Sequence, residues 1–138
     1  MRAIAQSLKE PLPVPVIYNC GGYESVDSLR MLEGKVQIYL PDFKYVDNQL
    51  AIRYSGTADY FEQAGAAIRE MVRQTGPYRL DQDGMLCSGV LIRHLILPGQ
   101  IQNSKQVIDW ISDCFPAGTV LFSLMSQYLP CGRAADFP

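Results

Sequence analysis

Asp42 and Lys44 stand two residues apart in LPDFK, directly after a short β-branched and aromatic run. In extended backbone that spacing puts both side chains on one face. An anion beside a cation holds a zwitterion, the carboxylate taking an ammonium and the lysine a carboxylate or hydroxyls. The alternative is that the two neutralise each other at a rim. Arg93 and His94 are neighbours in the most hydrophobic stretch, GVLIRHLILPG, so a strand there sends them to opposite faces. An arginine buried in a strand needs an anionic or carbonyl partner. His94, the single histidine, suits a hydrogen-bonded packing role better than a catalytic one. Asn19 stands just before Gly21-Gly22, either as a polar ligand contact or as a turn residue. The glycine pair lets backbone come close to a ligand.

Other chemistries are excluded by what the chain lacks. Cys20, Cys87, Cys114 and Cys131 are scattered, with no CxxC or CxxxCxxC grouping to gather thiolates on one centre. Ordinary reduced thiols are expected. No GxGxxG, phosphate loop, nucleophile elbow or kinase motif occurs.

The positioning elements follow from periodicity and punctuation. Residues 1–10 read as a short helix stopped by PLPVP, and 14–18 as a buried strand ended by Asn19-Cys20-Gly21-Gly22. Ser25 caps a helix with Val26, Leu29 and Leu32 on one face and Gly34 closing it. A strand over 36–40 stops at Pro41; Asp47 caps a helical turn, and a longer helix spans about 59–74. Asp83-Gly84 marks a hairpin between 78–80 and 85–87. A strand over 90–97, a helix capped by Ser104 with Val107, Ile108 and Ile111 inward, and a strand over 119–125 complete the pattern, with an irregular tail from Pro130. Continuous apolar strands alternating with helices predict an α/β fold with a parallel sheet, either doubly wound or part of a (β/α) barrel. Both place chemistry at the carboxyl ends of strands.

With 138 residues, 48% of them hydrophobic, the chain is expected to form one domain over 1–138. A net charge of −2 and an isoelectric point near 5.3 argue against a nucleic-acid partner. No apolar run suits a membrane span and no secretory pattern opens the chain, so a cytoplasmic location is expected.

The segments VIYNCGGYESVDSLRMLEG (16–34), VQIYLPDFKYVDNQLAIRYSG (36–56), GVLIRHLILPG (89–99) and LFSLMSQYLPCG (121–132) together resemble radical S-adenosylmethionine proteins related to pyruvate formate-lyase activating enzymes. The similarity runs through residues 10–133. It implies a partial (β/α) barrel, of which this chain holds about four of six parallel β/α units, with a small β-hairpin. It implies S-adenosylmethionine bound on a four-iron, four-sulfur cluster, and a glycyl-radical or other protein substrate. By the resemblance, Asn19 matches a polar residue after a barrel strand, and Asp42 and Lys44 match a pair near the ribose and methionine parts of the cofactor. Arg93 matches a cofactor-facing arginine, and Leu95 lines the adenosine pocket. Gly21 and Gly22 belong to the same loop, and Gln127 falls where the activating enzymes carry a histidine. Asn19 departs too, replacing an aspartate.

The family's CxxxCxxC and its Gly-Gly-Glu segment do not occur in the chain. The chain therefore resembles the carboxyl-terminal part of such an enzyme. The expectations are no cluster and no radical activity in this chain, at most weak adenosyl-ligand binding, and self-association through an exposed edge of the first strand.

Overall fold

The computed structural model describes residues 1–8, 10 and 12–132, and its elements alternate as the punctuation requires. Helix α1 (Arg2–Ser7) leads to strand β1 (Ile17–Cys20), α2 (Val26–Arg30), β2 (Ile38–Pro41), α3 (Asn48–Ser55) and α4 (Tyr60–Thr75). Strand β3 (Arg79–Leu80), β4 (Leu86–Leu95), α5 (Ile101–Cys114) and β5 (Leu121–Met125) follow.

Four strands run parallel, with β2 beside β1, β4 beside β2 and β5 beside β4. Each new parallel strand is added on the same side, so the order never reverses. The short β3 pairs antiparallel with the start of β4, on the edge that β5 takes over further along. At that handover Gly89 has φ +124°, and a Cβ there would sit 2.6 Å from the Tyr78 Cα. Only glycine fits this crossing.

The core lies between sheet and helices. Tyr39, Val90, Ile92 and His94 face it and are buried, as are Leu29 and Leu32 below α2, Ala64, Ala67, Ile68 and Met71 on α4, and Val107 on α5. Helix α4 packs on β2, β4, α2 and α3, and α5 packs on β4. The Trp110 ring of α5 lies 4.6 Å from that of Phe43 and 6.1 Å from that of Phe61 in α4, joining the helices into one layer. Leu91, Arg93 and Leu95, which alternate with the buried residues of β4, point to the other face and are only partly covered.

Local chemistry explains most boundaries. The Ser25 hydroxyl accepts from the Ser28 N–H and the Asp47 carboxylate from the Gln49 N–H, so both expected caps form. Helix α3 ends on Gly56 at φ +66°, a left-handed terminus.

Several expectations are corrected. Asn19 and Cys20 continue β1 rather than break it. Pro41 closes β2 from within. Its missing N–H leaves a gap in the β2–β4 ladder between Tyr39–Val90 and the bridge Asp42–Arg93. The second hairpin arm and the apolar strand after it are one ten-residue strand, β4. Helix α5 starts at Ile101, so Ser104 lies inside it rather than capping it, and Ile108 is 38% exposed rather than inward. Helix α1 stops at Ser7, short of the expected 1–10. The end of the expected irregular tail, 133–138, lies outside the described residues. No helix among the described residues is long and apolar enough to cross a membrane.

Candidate functional site

The carboxyl ends of β1, β2 and β4 bring Asn19, Asp42 and Arg93 together. Arg93 Nε donates to Asp42 Oδ1 at 2.9 Å and its Nη2 to Asn19 Oδ1 at 2.7 Å. The Arg93–Asp42 ion pair closes to 2.7 Å, with the two side chains 25% and 29% exposed. Arg93 thus has the anionic partner its place in a strand demands. Asp42 pairs with Arg93, not with its neighbour Lys44, so mutual neutralisation of the LPDFK pair does not occur.

This geometry leaves functional groups uncommitted. The second carboxylate oxygen of Asp42, the Nη1 end of Arg93 and the Lys44 ammonium have no protein partner among the described residues. They open on a hollow of about 260 Å³ lined by Asp42, Lys44, Tyr45, Arg93, Leu95, Leu97 and Met125. Its lining combines one carboxylate and two cations with the apolar side chains of Leu95, Leu97 and Met125. A ligand with a hydroxyl-bearing or zwitterionic part joined to a flat apolar part suits that arrangement.

The backbone beneath these groups is fixed by buried side chains. The Asp42 N–H donates to Cys20 O at 3.0 Å, and the Phe43 N–H to Arg93 O at 2.8 Å. The Lys44 N–H donates to the Tyr60 hydroxyl at 3.0 Å. Asn103 accepts from the Val46 N–H at 3.0 Å and donates to Lys44 O at 2.9 Å. His94 Nδ1 lies 2.7 Å from Phe43 O, and its Nε2 lies 2.9 Å from the Ser104 hydroxyl. A carbonyl only accepts, so Nδ1 carries the proton and Nε2 accepts from Ser104. Burial holds the His94 pKa below its ordinary value, against the smaller opposing pull of the Phe43 carbonyl. His94 is a packing residue on the helix side of β4.

Of the other candidates, Leu95 lines the hollow and Lys44 stands at its rim. Asn19, which bonds Arg93, does not line it, and neither do Gly21, Gly22 and Gln127; Gln127 is exposed beyond β5. Gly22, at φ +82°, is used for close packing, because a Cβ there would overlap the Asp42 carbonyl oxygen. Cys20 beside it is pushed up to about 11, chiefly by burial, so its thiol stays protonated.

Tyr60, Asn103 and Ser104 carry no motif. For Asn103 and Ser104 a signal did exist: two polar residues in helical register with Val107 and Ile111, where an inward stripe has no use for them unless they bond. Tyr60 offered none beyond its place at the start of α4.

A larger hollow of about 470 Å³ lies at the other end of the sheet, between Leu12–Val16 and Glu33–Gln37. It faces the amino ends of β1 and β2, whereas parallel sheets gather ligand-binding groups at the carboxyl ends. Glu33 there is already paired with Arg73 at 2.9 Å. The smaller hollow is the candidate site.

Comparison with known proteins adds one relative. The chain is 28% identical over 126 residues to an uncharacterized protein of Methanocaldococcus jannaschii, a match covering 91% of the chain. The chain spans 32% of that protein's length. No protein-family model and no solved structure matches the chain.

Proposed function

We propose that the chain is the carboxyl-terminal portion of a radical S-adenosylmethionine enzyme similar to the pyruvate formate-lyase activating enzymes, with its sheet part of a (β/α) barrel. In this reading the hollow at Asp42, Lys44 and Arg93 takes the adenosyl ligand. The observation that carries it is the convergence of Asn19, Asp42 and Arg93 at the carboxyl ends of three parallel strands, on the face away from the helices. The free oxygen of Asp42 accepts a ribose hydroxyl, Lys44 donates to a hydroxyl or carboxylate, and Leu95 with Met125 covers the base. A glycyl-radical or other protein substrate belongs to the whole enzyme.

The residues present do not fit a four-iron, four-sulfur cluster. Among the described residues no three His, Cys, Asp or Glu side chains gather at one point, and the four cysteines are separate and free. No step is therefore derived through a cluster, and the proposal for this chain is confined to ligand binding and self-association.

Affinity is expected to be low. The hollow, at about 260 Å³, is smaller than the ~300 Å³ at which ligand pockets ordinarily begin, so it encloses part of such a ligand. Calorimetric titration with S-adenosylmethionine should give a Kd weaker than ~100 μM, abolished by Asp42→Ala. Binding untouched by Asp42→Ala or Arg93→Ala would defeat the reading.

Self-association has its own observation. Ile17, on the strand with a free sheet edge, and Val14, in the segment that leads into it, are 56% and 61% exposed. A homo-oligomer formed through that edge is the expected state, read by sedimentation equilibrium.

A further inference from the structure

Tyr60 is 3% exposed, with its ring packed against those of Tyr23, Phe43 and Tyr45. Its hydroxyl stands where two chain segments meet: the Lys44 N–H donates to it at 3.0 Å, and Gly21 O and Asp42 O each lie 3.2 Å away. A phenol has one proton to give. Burial pushes the Tyr60 pKa far up, so that proton is present throughout the working range. One hydrogen therefore serves two carbonyls, one at the end of β1 and one at the end of β2, while the lone pair satisfies the amide of Lys44. Gly22 seals the same point, since a Cβ on it would overlap Asp42 O and come within 3.4 Å of the Tyr60 hydroxyl.

We infer that Tyr60 is a positioning residue for the candidate site: its hydroxyl ties the strand end that carries Asn19 to the segment that carries Asp42 and Lys44, so that the ligand-facing groups keep one geometry. Tyr60 touches no ligand group itself. It acts through the backbone of Gly21, Asp42 and Lys44, next to the Asp42 N–H bond to Cys20 O, while Asn103 holds the Lys44 carbonyl and the Val46 N–H. The consequence for affinity rests on the adenosyl-binding proposal; the junction does not.

The test has a ligand-free arm. In the wild-type chain the Lys44 amide, whose acceptor is a side chain, should exchange its hydrogen as slowly as that of Phe43, which bonds to Arg93 O. In Tyr60→Phe the Lys44 amide should exchange at least ~10-fold faster, with Phe43 unchanged, about the ratio that loss of one ordinary hydrogen bond gives. Fast exchange of Lys44 in the wild type overturns the inference without any variant. Equal acceleration at both amides overturns it as well, since that marks general loosening. In the binding arm, Tyr60→Phe should weaken S-adenosylmethionine about 5- to 10-fold, and the same change made in Lys44→Met should weaken it less. An undiminished effect in that background overturns the coupling to Lys44. Absence of binding by the wild type counts against the adenosyl proposal, and the exchange arm then decides the role of Tyr60 by itself.

Discussion

The Arg93 guanidinium and the Asp42 carboxylate, 51 residues apart, meet at 2.9 Å through Nε and stitch β4 to the segment that leaves β2. The ladder between these strands is interrupted at Pro41, so the side-chain pair and the Phe43–Arg93 backbone bond close what the proline leaves open. The pair sits at a rim, about a quarter exposed, which discounts its worth. Asp42→Asn should cost about 1 kcal/mol in urea unfolding. Arg93→Lys should do the same for a different reason, because an ammonium lacks the fork that reaches Asp42 and Asn19 together.

Gly21 and Gly22 look alike in sequence and differ in consequence. An added Cβ at Gly21 meets nothing within 4 Å, whereas at Gly22 it meets the Asp42 carbonyl in a backbone held at φ +82°. Gly22→Ala should destabilise by more than about 3 kcal/mol, and Gly21→Ala by less than about 1 kcal/mol. Comparison of urea midpoints at equal slope checks both.

Glu70 is 7% exposed and accepts from Arg73 Nε and Nη2, each at 2.8 Å, and from Gln74 Nε2 at 2.8 Å. Gln74 in turn accepts from the Tyr39 hydroxyl at 2.6 Å, which ties α4 to β2. The Arg73 hydrogen bonds first, then that of Gln74, outweigh burial and hold the Glu70 pKa at about 2. A carboxyl whose folded pKa is depressed contributes its full stability above the unfolded value of 4.5 and loses it as pH falls toward 2. Unfolding free energy should therefore decline across that window in the wild type and more weakly in Glu70→Gln, as urea titrations from pH 5 to pH 2 would record.

The alternation of periods made most of the fold legible. Arg93 and His94 had to part to opposite faces because strand side chains alternate, and Arg93 had to find an anionic or carbonyl partner. That the partner is the Asp42 carboxylate was not legible, since pairing across 51 residues depends on how β2 and β4 sit side by side. Lys44 was expected to share a face with Asp42, and both do line one hollow. Ser104 misled because serine starts helices as readily as it bonds within them; the His94 ring, invisible to local reading, decided its role. The limits of β4 were misplaced because the hairpin arm and the apolar run were separated, yet the strand continues through Gly89, where it changes neighbours.

The uncovered edge of β1 gives a prediction separable from folding. Ile17 is 56% exposed, so replacing it should alter stability by no more than about 0.5 kcal/mol. A charge on an edge strand opposes pairing with another edge. Ile17→Lys should therefore shift sedimentation equilibrium toward the monomer at unchanged urea midpoint. An unchanged assembly would place the contact elsewhere.

His94 supplies the last test, with the convenience that the chain holds one histidine. Its ring is 1% exposed, with Nδ1–H given to Phe43 O and Nε2 receiving from Ser104. Burial lowers its pKa from 6.5. The unfolded chain then binds a proton at higher pH than the folded one, so unfolding free energy is full above pH 6.5 and falls as the pH drops below it, until the folded ring titrates as well. Ser104→Ala removes the donor to Nε2 and should destabilise by about 1–2 kcal/mol. Nitrogen NMR of the single ring reads the tautomer directly, and a neutral ring protonated at Nδ1 is expected at pH 7. A ring protonated at Nε2 would contradict the hydrogen-bond assignment; titration at 6.5 would remove the pH dependence, and titration above it would reverse its sign.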